Sequence, residues 1–195
     1  MQRLKILISS MLNLTKFDNG TIEIHYQLFP IQDLAFRTIL MFESRLEKRN
    51  ITLEGLDSEP VQVWGDPDLI GQVIYNLFEN ATKFVNTGGT ITFTFKDEPN
   101  STSIAIRNTG AGISKEELPK IFERFYKSDD SRSHDKTGLG IGLDITKHIV
   151  RLHKAQISVS SEEGEYTEFL IRLPKKDAPA ESPTENPEKQ PKDAR

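Results

Sequence analysis

The stretch from Asp66 to Phe84 constrains the fold most, because it carries two stripes at once. Asp66 followed by Pro67 is a helix opening: a capping carboxylate, then a residue preset for the first turn. Leu69, Ile70, Val73, Ile74, Leu77, Phe78 and Ala81 recur at helical spacing and predict a helix buried along one side. Asn76, Asn80 and Lys83 stand at i, i+4 and i+7. At ~100° per residue they form a second, polar stripe beside the apolar one. Carboxamide oxygens suit a hard divalent cation such as magnesium, which keeps waters and shares phosphate oxygens. A lysine one turn on meets phosphate charge. An ordinary polar helix face is the competing reading of this patch alone, and Phe84 at the helix end suits either a stacked base or the core.

Three further patches follow in order. Asn108, Thr109, Gly110, Ala111, Gly112 and Ile113 come after a predicted strand. Glycines there let the backbone approach a flat ligand or take positive φ, and the Asn108 amide can accept a hydrogen bond from an exocyclic amine. In isolation the patch reads as a glycine turn before a helix that Ser114 and Glu117 would cap as a box. Phe122 and Phe125 flank Glu123 and Arg124 as an apolar pair fit to latch a lid, with Arg124, Lys127 and Arg132 placed to reach phosphate. Thr137, Gly138, Leu139, Gly140, Ile141, Gly142 and Leu143 precede a helix running to about Leu152. Backbone N–H groups at such a helix start bind phosphate. A dinucleotide-binding βαβ unit does not fit, because no strand comes immediately before these glycines.

The rest of the chain reads as strands and helices in blocks, which predicts an α+β sandwich. Alternation over Ile22 to Leu28 predicts a strand, Ile31 to about Arg49 one helix, and Ile51–Leu53 and Val61–Trp64 short strands. Strands are also predicted at Ile91–Phe95 and Ile104–Ile106, with a closing hairpin of Ile157/Val159 against Phe169/Ile171/Leu173. Leu4, Leu7, Ile8, Met11, Leu12 and Thr15 trace a short helix that needs a partner. Beyond about Lys175, prolines among charged and small residues predict a disordered tail. The organisation is therefore 1–17, 18–174 and 175–195. A net charge of −4 without basic excess argues against nucleic acid as a partner. The absence of cysteine excludes disulfides and thiolate chemistry. His25, His134, His148 and His153 show no metal-ligand spacing.

Taken together and in this order, the patches resemble the N, G1, F and G2 boxes of histidine kinases, within the ATPase superfamily that includes DNA gyrase B and the ninety-kilodalton chaperones. The resemblance covers about Gly20 to Pro174, and the phenylalanine box favours the histidine kinases. It implies the Bergerat ATP-binding fold: a two-layer α/β sandwich, a mixed sheet covered by helices, with a lid over about Thr109–Thr137. It implies ATP and Mg²⁺ as cofactors. Asn80 would hold the metal with Asn76 in support, Lys83 would contact phosphate, Phe84 would border the adenine and Asn108 would face its amine. Gly110, Gly112, Ile113, Phe122, Thr137, Gly138, Leu139, Gly140, Gly142 and Leu143 would line the nucleotide, and Arg124 or Lys127 would approach the γ-phosphate. The family usually has aspartate where this chain has Asn108, so a charge-assisted bond is lost.

The implied reaction moves the γ-phosphoryl group to a histidine on a dimerisation domain, and from there to a response regulator. No acceptor-histidine box is present, and the Leu4–Thr15 helix resembles the end of the dimerisation hairpin. The implied setting is the cytoplasmic part of a membrane-bound sensor, homodimeric when whole and monomeric as this piece. An anti-sigma-like serine kinase or binding module is the alternative from another class.

Overall fold

The structure, a computed structural model, describes residues 22–127 and 140–176. The expected helix at Leu4–Thr15, the disordered tail and Thr137, Gly138 and Leu139 lie outside the described residues. Within them, strands β1 (Gln27–Pro30) and β3 (Gln62–Gly65) pair antiparallel as a small ribbon. The main sheet contains β2 (Thr52–Glu54), β4 (Thr90–Asp97), β5 (Ser101–Thr109), β7 (Tyr166–Pro174) and β6 (Gln156–Glu162), in the order β2-β4-β5-β7-β6. The β2–β4 pair is parallel and the other neighbours are antiparallel, so the sheet is mixed. Helices α1 (Ile31–Leu40), α2 (Glu43–Lys48), α3 (Pro67–Phe84) and α4 (Gly142–Leu152) form the second layer.

Helix α3 is the organising rod. Asp66 caps it, its Oδ1 accepting from the N–H groups of Asp68 (3.0 Å) and Leu69 (3.2 Å), with Pro67 in the first turn. Ile70, Val73, Ile74, Leu77, Phe78 and Ala81 are buried, meeting Ile91, Phe93, Ile104 and Ile106 of the sheet in one core. Phe78 lies at the centre, 5.3 Å edge-on from Phe42 and 5.5 Å from Phe93. Each such side chain contributes roughly 1.5–3 kcal/mol on burial. The expected closing hairpin is present, with Ile157 opposite Ile171 and Val159 opposite Phe169.

Three expectations need correction. The helix expected from Ile31 to Arg49 is two helices. Met41 and Phe42 donate to the carbonyls of Thr38 (3.0 Å) and Ile39 (2.8 Å), three residues back, and the tightened turn seats Phe42 against Tyr75 and Phe78. The Ser114 segment forms successive turns instead of a helix. Ser114 carbonyl accepts from Glu117 and Leu118, but Pro119 has no N–H to continue, and Ser114 Oγ is spent on the Glu117 carboxylate (3.4 Å). The first strand begins at Gln27, later than Ile22, because its only partner among the described residues is the four-residue β3.

Candidate functional site

The polar stripe of α3 divides by burial. Asn76, 6 % exposed, donates from Nδ2 to the Gly142 carbonyl (3.0 Å) and to Thr146 Oγ1 (3.4 Å). It therefore ties α3 to the first turn of α4, with Gly142 packed close over its carboxamide. One turn on, Asn80 is half-buried, and no hydrogen bond ties its carboxamide to a described residue. Lys83 is half-buried too, 3.6 Å from the Glu79 carboxylate, an i,i+4 pair along the helix. Phe84 is more exposed, at 38 %.

The Asn108 loop meets the end of this helix. Asn108 sits on the central strand between Ile91 and Thr167, 3 % exposed. Its Nδ2 donates to the Thr109 carbonyl (3.1 Å), which leaves the amide oxygen as the acceptor. Gly110 bridges to Val85, and a Cβ there would fall 2.2 Å from the Phe84 carbonyl oxygen. At Gly112, with φ +70, a Cβ would fall 2.2 Å from the Glu162 carbonyl oxygen. These two glycines let the loop press against the protein itself, at the foot of α3 and at the β6–β7 turn. Ile113 continues the attachment, its N–H donating to Ser161 Oγ (2.8 Å).

The phenylalanine segment is latched by one ring of its pair. Ile121 is buried, and Phe122 packs edge-on against Phe169 at 6.2 Å with Lys147 over its face. Phe125 is 68 % exposed and has φ +65, so the expected two-ring latch is made by Ile121 and Phe122 instead. Arg124 Nε donates to the Asp144 carboxylate (3.0 Å) in the first turn of α4. Asp144 also faces His148 Nδ1 at 3.3 Å. Lys127 is half-buried. The Phe125 N–H donates to the Gly140 carbonyl (3.0 Å), so the segment ends beside the start of α4, where Gly142 and Leu143 are half-buried.

At the far end of α3 a buried knot holds the helix pair. His153 Nε2 accepts from the Asp66 N–H (3.1 Å), so the proton is on Nδ1, which donates to the Ile149 carbonyl (2.8 Å). Burial holds the His153 imidazole below its ordinary value, against the Ile149 hydrogen bond and the Asp66 carboxylate, which pull the other way. Asp66 Oδ2 accepts from the His25 N–H (2.9 Å), and Tyr26 rests edge-on against His153.

Sequence reasoning did not find Asp144, Thr146, Arg49 or the Asp66–His153 bond. Asp144 alone had a signal, an acidic residue in a helix first turn. The others are contacts between distant segments.

The donor set can be tested against a divalent cation. Among the described residues no cluster of three or more histidines or carboxylates could hold one by itself. Asn80 offers a single carboxamide, so the remaining oxygens must come from water and phosphate, which is how magnesium is held beside a nucleotide. The residues fit a metal that arrives with its nucleotide.

Residues 65–177 match the family described as histidine kinase-, DNA gyrase B- and HSP90-like ATPases. Sensor protein SrrB of Staphylococcus aureus is 32% identical over 175 residues, covering 89% of this chain and 30% of that protein. The chain thus spans less than a third of the curated relatives it matches. The catalytic domain of the histidine kinase ThkA, in a nucleotide-free form, superposes with a TM-score of 0.66 at 27% identity over 77% of this chain and 97% of that one. ThkA in complex with the response regulator TrrA gives a TM-score of 0.68 at 24% identity, over 89% of this chain and 48% of that one. No helix among the described residues is long and apolar enough to cross a membrane.

Proposed function

This chain belongs to the histidine kinase-, DNA gyrase B- and HSP90-like ATPase family, and from that premise we propose that it is the nucleotide-binding catalytic part of a sensor histidine kinase. The observation that carries the reading is the meeting of three elements: the last turns of α3, the Asn108–Gly110 loop bridged to Val85, and the start of α4 held by Asn76. Membership implies nucleotide binding; the residue roles are the proposal. The Asn108 oxygen accepts from the adenine amine and Phe84 borders the base. Lys83 meets the phosphates, exchanging Glu79 for them. Gly110, Gly112, Ile113, Phe122, Gly140, Gly142 and Leu143 line the nucleotide, together with Thr137, Gly138 and Leu139. Asn80 holds Mg²⁺, which when bound neutralises phosphate charge. Asn76 keeps its place by anchoring α4.

The reaction is in-line phosphoryl transfer. An imidazole nitrogen supplied by a dimerisation domain forms a bond to the γ-phosphorus as the bond to the β–γ bridging oxygen breaks, releasing ADP. The protein's part is positioning and charge neutralisation. Arg124 and Lys127 approach the γ-phosphate, Arg124 by exchanging Asp144 for a phosphate oxygen. The phosphoryl group then passes to a response regulator, as the ThkA complex with TrrA supports. We place 1–17 at the end of the dimerisation hairpin and 175–195 as a tail, in the cytoplasmic part of a sensor that is a homodimer when whole.

Calorimetric titration with a non-hydrolysable ATP analogue, with and without Mg²⁺, tests the site. Binding that Mg²⁺ strengthens in the wild type, and not in Asn80→Ala, is expected; an absence of binding by the wild type would sink it. Incubation with labelled ATP and a supplied dimerisation domain tests the reaction. An acid-labile, base-stable phosphate is expected, and an acid-stable one would point to serine.

A further inference from the structure

The last turn of α3 carries Asn80, Lys83 and Phe84, yet a helix C-terminus is an awkward support for a triphosphate. Its final carbonyls have no partners within the helix, and they present partial negative charge. Here one side chain answers both problems. Arg49, the residue after α2, donates from Nη1 to the Thr82 carbonyl (2.7 Å), with the Lys83 carbonyl also in reach (3.5 Å), and from Nη2 to the Val85 carbonyl. The guanidinium thus spans the helix end and the residue that bridges to Gly110.

Arg49 is itself held. Its carbonyl accepts from the Gly88 N–H (2.8 Å), and Asn50 takes φ +50, turning the chain sharply after α2. Arg45, one turn earlier, reaches Thr82 Oγ1 (3.3 Å), while Thr82 Oγ1 donates to the Glu79 carbonyl (2.9 Å). The turn that carries Asn80 and Lys83 is therefore gripped from behind by two arginines of a separate segment.

We propose that Arg49 is a positioning residue for the metal–phosphate end of the nucleotide site: it fixes the last turn of α3 and offsets the charge of its carbonyls where phosphate must approach. The inference rests on the reading of the site given above. It predicts a split. The Asn108 contact to the adenine comes from β5, which Arg49 does not touch, so adenosine binding, which draws only Phe84 from the clamped turn, depends on it less. The gain in affinity that Mg²⁺ and the β- and γ-phosphates bring depends on it.

Three variants separate the causes. Arg49→Met removes donors and charge, Arg49→Gln keeps donors without charge, and Arg49→Lys keeps charge without the fork. Each is titrated with adenosine, with ADP, and with a non-hydrolysable ATP analogue with and without Mg²⁺, while amide hydrogen exchange is read at Lys83, Phe84 and Val85. For Arg49→Met we expect at least about a tenfold loss of the Mg²⁺-dependent gain, a loss of adenosine affinity no larger than about threefold, and faster exchange confined to the last turn of α3. Arg49→Lys restores part of the gain and Arg49→Gln less.

An Arg49→Met protein with the full Mg²⁺-dependent gain overturns the proposal, as does an equal loss of adenosine and ATP binding. Should the wild type bind no nucleotide, the reading of the site fails instead. Exchange at the α3 end then judges the clamp alone, and unchanged rates in Arg49→Met reject it.

Discussion

The two ends of α3 are built to opposite purposes. At Asp66 nearly everything is enclosed: the carboxylate accepts three backbone N–H groups, and its own N–H goes to a buried imidazole. At Asn80, Lys83 and Phe84 the side chains are half-buried or more exposed, and support comes from behind, through Arg49 and the bridge to Gly110. One end holds the fold and the other is left open to solvent. The helix lets a single core settle the position of the side chains at its open end.

If that contrast is right, damage at the two ends should read out differently. The largest effect belongs to Asp66→Ala. Losing the cap and the bond from His25 should cost about 3 kcal/mol in denaturant unfolding, with nucleotide affinity at low temperature within about threefold of wild type. A large affinity loss in a folded Asp66→Ala protein would erase the distinction. Next is Asn80→Ala, expected to weaken Mg²⁺-nucleotide binding about 30-fold, near 2 kcal/mol, while unfolding shifts by no more than about 0.5 kcal/mol.

A pH titration sharpens the comparison further. The His153 imidazole titrates below its ordinary value in the folded protein, because it is buried. As pH falls through the unfolded value near 6.5 the unfolded chain binds the extra proton, so stability is full at neutral pH and declines below it. The slope contributed is at most about 1.4 kcal/mol per pH unit, down to the folded value. In His153→Gln, whose amide oxygen can accept from the Asp66 N–H, that slope should flatten between pH 7 and 5; an unchanged slope would assign it elsewhere. The smallest effect is expected of Asn108→Asp. A carboxylate restores the charge-assisted bond to an adenine amine and should raise ATP over GTP preference about three- to fivefold; equal preference would remove Asn108 from base recognition.

Local chemistry explains what was readable from the chain. The α3 cap, its apolar stripe and the β6–β7 hairpin follow from spacing and turn residues, and the order of the four patches pointed to the family that the comparisons then showed. The break at Met41 was hidden because Ile31, Leu34, Ile39, Phe42 and Leu46 keep an apolar face that a straight helix also satisfies. The glycine patches were seen, but the reason for Gly110 and Gly112 lies in the carbonyls of Phe84 and Glu162, at positions far along the chain. Asn76 was counted as metal support, yet its burial and its bonds to Gly142 and Thr146 are long-range facts. Arg49 carries no local mark at all. A charge at a helix end looks the same whether it caps its own helix or another.

The bond between the Phe125 N–H and the Gly140 carbonyl has a practical corollary. It fastens the residues on either side of the intervening stretch to each other, so a guest sequence spliced between residues 128 and 136 would leave both sides where they stand and Thr137, Gly138 and Leu139 intact. Doubling the length of chain between two fixed points costs only about 0.6 kcal/mol in closure entropy. That makes the stretch a natural insertion point for a fluorescent reporter.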